Sequence, residues 1–264
     1  MFRSKYFTTG LGIYMSYFML GMALILLSSN MEFVINQLNT DVAGITFLIS
    51  IEGLVRSATV YISGRLSDKF GRKRILCLSP IFEIIFLFGI PFVHDYRMAL
   101  VLSVFAGLSH AFVDSSSYPS LMECFPKTPG TATVVVKAFI AIGGIMLPII
   151  IAFFVNRNMF YGNTFFLIGI MYLINGLFLF TRKFPKANQT EVSEDGKILN
   201  KKNFISEPVL KKEGITIIII GFTSNAIYTA FQIWMPTYGQ NILGMSQINS
   251  LKLITYYSIG SLIS

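Results

Sequence analysis

Asp114 and His110 lie about one helical turn apart, in a segment where Ser103, Gly107 and Ser117 share their face at intervals of three and four residues. Asp114 sits about two turns from the polar end of that segment and His110 a turn deeper, in surroundings where an unpaired ionisable group costs several kcal/mol. Side chains kept at such depth neutralise one another, bind a solute or exchange protons, so function is the first expectation for both. Lys137 falls at a matching depth in the next apolar segment. Two readings stay open for it: an ion pair with Asp114, or a lysine whose stem carries its ammonium to the surface.

Glu52 and Arg56 form an i, i+4 acid–base pair that can neutralise itself along one helical face, and Glu83 lies deep enough to compete for the same arginine. A structural membrane ion pair is the expectation for these three. Asn225, Tyr228 and Gln232, in line with Gly221, offer amide and phenol hydrogen bonds without charge. Such a set suits a neutral, hydroxylated solute, or serves helix–helix hydrogen bonding. Tyr17, with Tyr14, Gly21 and Ser28, repeats the pattern near the N-terminus. Hydrolytic and nucleotide-binding motifs are missing: the chain has no HExxH, GxSxG or Walker loop, and His94 and His110 lie at different depths. Cys77 and Cys124 fall near predicted cytoplasmic helix ends, where thiols stay reduced. The sequence therefore predicts no metal, no cofactor and no enzyme chemistry.

The elements that must carry these residues are membrane helices. Of 264 residues, 53% are hydrophobic and only 13% charged. Apolar runs of about 20 residues are long enough to cross about 30 Å of hydrocarbon as helices. Runs such as 81–93 and 215–222 lack the period-two alternation of a barrel strand. Apolar length and flanking polarity predict helices over 10–30, 42–63, 75–93, 98–122, 132–155, 161–181 and 214–238, with an eighth run beginning near Ser250. A net charge of +8 raises the prospect of nucleic acid, but the basic residues cluster at the ends of apolar runs rather than on an exposed stripe. With the N-terminus inside, Arg97 and Arg157 are the only loop cations left outside, which predicts a cytoplasmic N-terminus. The segment 184–213 reads as a solvated linker rich in Lys, Glu, Asn and Ser.

The densest charge lies in Gly64-Arg65-Leu66-Ser67-Asp68-Lys69-Phe70-Gly71-Arg72-Lys73, read as a tight cytoplasmic turn in which Gly64 and Gly71 permit the reversal and the cations hold Asp68. This stretch resembles the loop 2–3 motif of the major facilitator superfamily, whose Gly, Asp and basic positions are all filled. The stretch 107–126, GLSHAFVDSSSYPSLMECFP, looks like the fourth helix of the fucose-proton symporter-like branch, where an acid followed five residues later by Pro marks a proton-linked carboxylate. Asp114 and Pro119 fill those positions. The branch's first-helix acid has no clear counterpart, with Ser28, Ser29 or Asn30 nearest. Ser103 stands where the superfamily has a fourth-helix Arg, and Gly143-Gly144 followed by Pro148 is all that remains of the antiporter motif. Both departures argue against drug–proton antiport.

The resemblance implies an all-α membrane protein with the major facilitator helical bundle: a six-helix N-terminal half over 1–183, the cytoplasmic linker 184–213, and the start of a C-terminal half over 214–264, as in a truncated chain. It implies a multi-pass plasma-membrane transporter of a small polar, sugar-like solute, working by proton-coupled alternating access. In that expectation Asp114 carries the proton, His110 or Lys137 tunes it, and Asn225, Tyr228, Gln232 and Tyr17 meet the solute. Gly64, Arg65, Asp68, Gly71, Arg72 and Lys73 form a conformational latch. The partners are solute, protons and lipid bilayer, with no nucleic acid. Efflux of amphipathic compounds is the alternative, and an inactive fragment or half-transporter a further one.

Overall fold

A computed structural model of the chain describes residues 4–185, 191–192, 198–199 and 212–263. In chain order its helices are α1 (Phe7–Ala23), α2 (Leu26–Ser29), α3 (Met31–Leu38), α4 (Val42–Phe70), α5 (Arg72–Gly89), α6 (Tyr96–Cys124), α7 (Pro129–Asn156), α8 (Gly162–Thr181), α9 (Lys212–Asn241) and α10 (Gln247–Ile263). A 3-10 turn, Ile90–Phe92, extends α5, and a minimal antiparallel ladder pairs Glu191–Val192 with Ile198–Leu199. The protein is all-α in class. Among the described residues, α4, α5 with its extension, α6, α7 and α8 are long and apolar enough to cross a membrane. Most of the predicted linker, namely 186–190, 193–197 and 200–211, lies outside the described residues.

Local chemistry sets the helix limits. The Asp41 side chain accepts from Gly44 N at 2.8 Å and starts α4, and Asp95 does the same for α6 through Arg97 N at 2.9 Å. Pro129 opens α7 from the first helical position, where its missing N–H leaves nothing unpaired. Gly71, at φ +96°, is the single residue between α4 and α5. That corrects the reading of 64–73 as a loop: α4 runs through Gly64 to Phe70, so the reversal rests on Gly71 alone. The charges occupy the last turn of one helix and the first of the next.

The predicted first helix, 10–30, is also different in form. It begins at Phe7, breaks after Ala23, resumes as the short α2, and turns again at Asn30 into α3, which ends on Asn39 in the left-handed region at φ 47°. The first break lies in an unbroken apolar run, Ala23 to Leu27, so a length count sees one helix where the backbone makes two segments, and α3 follows beyond the expected end at residue 30.

Packing places α1 against α7, α6 and α8, α4 and α5 against α6, and α5 against α8. One apolar cluster, around Leu26, Leu48, Phe86 and Phe165, fills the end of the bundle away from the basic turn. A second, around Ile13, Leu76, Leu121 and Val136, fills the end near it. Leu54, Ile62, Ile174, Leu177 and Phe180 stay exposed on the outer faces. Apolar side chains on the outer faces are what a lipid surround requires. The α1–α7 seam is closed by two glycines: a Cβ on Gly21 would collide with the Ile140 carbonyl, and one on Gly143 with the Phe18 carbonyl.

Candidate functional site

Two helices that run in the same direction build the site. The Tyr96 hydroxyl at the start of α6 donates to Gly44 O at the start of α4, at 2.9 Å, which sets the two side by side. Their close approach depends on Gly107, where a Cβ would lie 2.7 Å from both Glu52 O and Val55 Cβ. Two turns further along α6 is Asp114, and the next residue along α4 after Val55 is Arg56. The arginine crosses the seam: Nη2 lies 2.7 Å and Nε 2.8 Å from Oδ2 of Asp114. The other carboxylate oxygen accepts a long hydrogen bond, 3.4 Å, from the Tyr17 hydroxyl of α1. Tyr118, one turn on from Asp114, packs its ring 5.5 Å from that of Tyr17. Three helices thus converge on one carboxylate. The Arg56 and Asp114 side chains keep 32% and 19% of their surface exposed, so the pair borders open space rather than the packed core.

This geometry revises the expected pairings. Arg56 is given to Asp114 on another helix and not to Glu52 on its own. Glu52 is buried, with Oε1 unpartnered in hydrogen-bond terms. Glu83 meets His110 instead of Arg56, with Oε2 of Glu83 and Nε2 of His110 3.5 Å apart inside the α5–α6 seam. His110 and Asp114, neighbours on one helix, therefore face different partners. A four-residue step turns the face by about 40°, enough to separate them when one looks at α5 and the other at α4. Lys137 is exposed on α7 and makes no ion pair among the described residues, so the Asp114–Lys137 pairing does not form.

At the basic end, Arg72 pairs with Glu123 near the end of α6. Lys69 and Lys73 lie over the rings of Phe70 and Phe180, at 5.3 and 5.5 Å. Asp68 is exposed and without an ion pair among the described residues, so the surrounding cations do not hold it within this hairpin. Sequence reasoning missed Glu123 and Tyr118. The one signal for Tyr118 is its i+4 spacing from Asp114, and Glu123 shows only as an acid at the basic end of α6. The α9 positions Asn225, Tyr228 and Gln232 lie outside the residues whose side chains are described.

A bundle of apolar-faced helices around an internal arginine–carboxylate pair defines a multi-pass helical membrane protein. Comparison with known proteins makes that class specific. The model of the Major Facilitator Superfamily matches residues 13–264, and the chain belongs to that family. It is 43% identical over 256 residues to the uncharacterized MFS-type transporter YfkL of Bacillus subtilis, covering 97% of this chain and 64% of that protein. It is 34% identical over 263 residues to the inner membrane transport protein YdiN of Escherichia coli, covering 99% of this chain and 61% of that one. The chain thus spans less than two thirds of the length of these relatives. A crystal structure of D-xylose-proton symporter superposes with a TM-score of 0.71 over 98% of this chain and 67% of its own, at 15% identity, which establishes a shared fold.

Proposed function

We propose that the protein moves a small polar, sugar-like solute across the plasma membrane by proton-coupled alternating access, with Asp114 as the proton carrier. The observation that carries this reading is the position of Asp114: a partly exposed carboxylate at the meeting of α1, α4 and α6, held by Arg56 and touched by Tyr17. Taking up a proton removes the charge that holds Arg56. The contacts across the seam then rearrange with the protonation state, which is the property a coupling site needs. Family membership, relatives named as transport proteins and a fold shared with a sugar–proton symporter support the same reading.

Residues 1–183 form the N-terminal bundle in this account, 184–213 the linker, and 214–264 the start of the second bundle, with the solute bound between bundles near the midplane. In this reading Asn225, Tyr228 and Gln232 of α9 supply hydroxyl and amide contacts to it, while Tyr17, expected to meet the solute, is fully buried on α1 and bears on the site through its hydrogen bond to Asp114. The basic ends of the helices face the cytoplasm, following the charge bias of their loops. Asp68, exposed and unpaired within its own hairpin, is free to engage the second bundle as a latch.

The test is reconstitution of the full-length gene product in lightly buffered liposomes, followed by addition of neutral monosaccharides and polyols one at a time under a pH electrode. At least one of them should draw protons inward with it. A panel that enters with no proton movement, or does not enter at all, overturns the reading.

A further inference from the structure

We propose that Glu52 is the second station of Arg56: the guanidinium bonds Asp114 in the state seen here and turns back to Glu52 when the charge on Asp114 is neutralised. Arg56 sits in a membrane-spanning helix, where a guanidinium without a counter-ion costs several kcal/mol. Once Asp114 carries a proton, the arginine needs another carboxylate within reach of its side chain. Glu52 precedes it by one turn on the same helix, the i, i+4 spacing at which an acid and a base meet without any movement of the backbone.

Glu52 is 7% exposed, and its Oε1 has no hydrogen-bond partner, an unusual condition for a buried carboxyl oxygen. Of the other groups facing this region, Glu83 is a carboxyl on a different helix, its oxygens also without a hydrogen-bond partner, and the two tyrosines carry no charge. Glu83 on α5 faces His110 on α6 at 3.5 Å. Tyr17 on α1 already donates to Asp114. Tyr172 on α8 offers a buried phenol. Among the described residues, Glu52 alone combines a carboxyl group, an unpartnered oxygen and a position one turn from Arg56 on the same helix.

The movement is short but it is not local in effect. Releasing Asp114 breaks both N–H···O bonds that tie α4 to α6, and re-forming them on Glu52 makes the arginine internal to α4. The incoming proton forms an O–H bond on Asp114, and the guanidinium changes partner as an intact cation. Glu52 thereby acts as a positioning residue, drawing Arg56 off α6 in one protonation state and letting it return in the other.

The inference rests on Asp114 carrying the proton, and it is tested without a transport assay. Thermal unfolding of the detergent-solubilised full-length gene product is measured for the wild type, Glu52→Gln, Asp114→Asn and the double variant. Asn at position 114 stands in for the neutral acid. The Tm of Glu52→Gln should stay near that of the wild type, and the double variant should lose far more than the sum of the single losses, because Arg56 then lacks both counter-ions. Adding Arg56→Gln should restore most of that loss, including when the double variant alone yields no folded protein. A purely structural Glu52 would give the same loss in both backgrounds, so additive shifts overturn the proposal, as does failure of Arg56→Gln to rescue. Uptake that survives in Asp114→Asn removes the transport reading instead, and leaves the outcome of the cycle to stand or fall by itself.

Discussion

Two nitrogens of Arg56 converge on a single oxygen of Asp114, at 2.7 and 2.8 Å, and the bond joins α4 to α6 across a seam that Gly107 keeps narrow. The second oxygen of the carboxylate turns to Tyr17 on α1. One acidic side chain therefore bridges three helices, and its charge is what holds the arginine across the α4–α6 seam.

That relationship predicts a measurable coupling. Arg56→Gln and Asp114→Asn should each destabilise the protein, and their double variant should be less damaged than the sum by roughly 0.5–3 kcal/mol, since both singles lose the same α4–α6 bond and the double variant no longer leaves Asp114 without its arginine. The lower part of that range is expected, because the Arg56 side chain retains 32% of its exposure and solvent screens the pair. A thermal or denaturant unfolding cycle in detergent reads the value. Strict additivity would mean that the pair carries no net energy.

The two kinds of glycine should behave oppositely. Gly143→Ala drives a methyl into the Phe18 carbonyl at the α1–α7 seam and should cost roughly 1–3 kcal/mol, seen as a lowered Tm. Gly64→Ala meets open space within α4 and should be neutral or stabilising by up to about 1 kcal/mol. Equal losses at both sites would show that Gly64 serves a turn after all.

Much of this fold is legible in the sequence because lipid imposes long apolar runs and polar interruptions, and six of the predicted helices recur within a few residues of their expected limits apart from the α4 extension. The importance of Asp114 follows from its depth. Its partner does not, because Arg56 has an acid at i−4 on its own helix and spacing favours that pair. Only the three-dimensional approach of α4 to α6 decides for Asp114. The pairing of Glu83 with His110 was hidden for the same reason, since it depends on which face of α6 meets α5. The break after Ala23 was invisible to an apolar-length count, as every residue from Ala23 to Leu27 is hydrophobic, whereas the turn at Asn30 falls at the expected end of the first helix. Asp68 shows the reverse error: crowding of cations in sequence suggested bonds that the helical ends, by spreading those charges outward, do not make.

Asp68 is exposed and free of ion pairs in its own hairpin, so Asp68→Ala should change folding stability by less than about 0.5 kcal/mol. Its effect should fall on the rate of transport, which should drop while solute binding is kept. Binding measured by scintillation proximity and initial uptake rates measured side by side would separate the two. An undiminished rate would count against a latch at this residue.

Arg72 and Glu123 close the basic end of the α5–α6 hairpin, with each side chain about one fifth exposed. Removing either charge should cost about 1 kcal/mol or less, with Glu123→Gln adding little once Arg72→Gln is present. Unfolding in high salt should narrow the difference between wild type and variant. A large, salt-independent loss would mark this pair as a buried structural element instead.

The most direct test of proton coupling at Asp114 is accumulation of the transported solute in liposomes by the full-length gene product under an imposed pH gradient, compared with Asp114→Asn. The wild type should concentrate solute inside while the gradient lasts. The Asn variant, correctly inserted and folded, should equilibrate the solute at best and show no dependence on the gradient. Accumulation by Asp114→Asn equal to that of the wild type would contradict the assignment of Asp114 as the proton carrier.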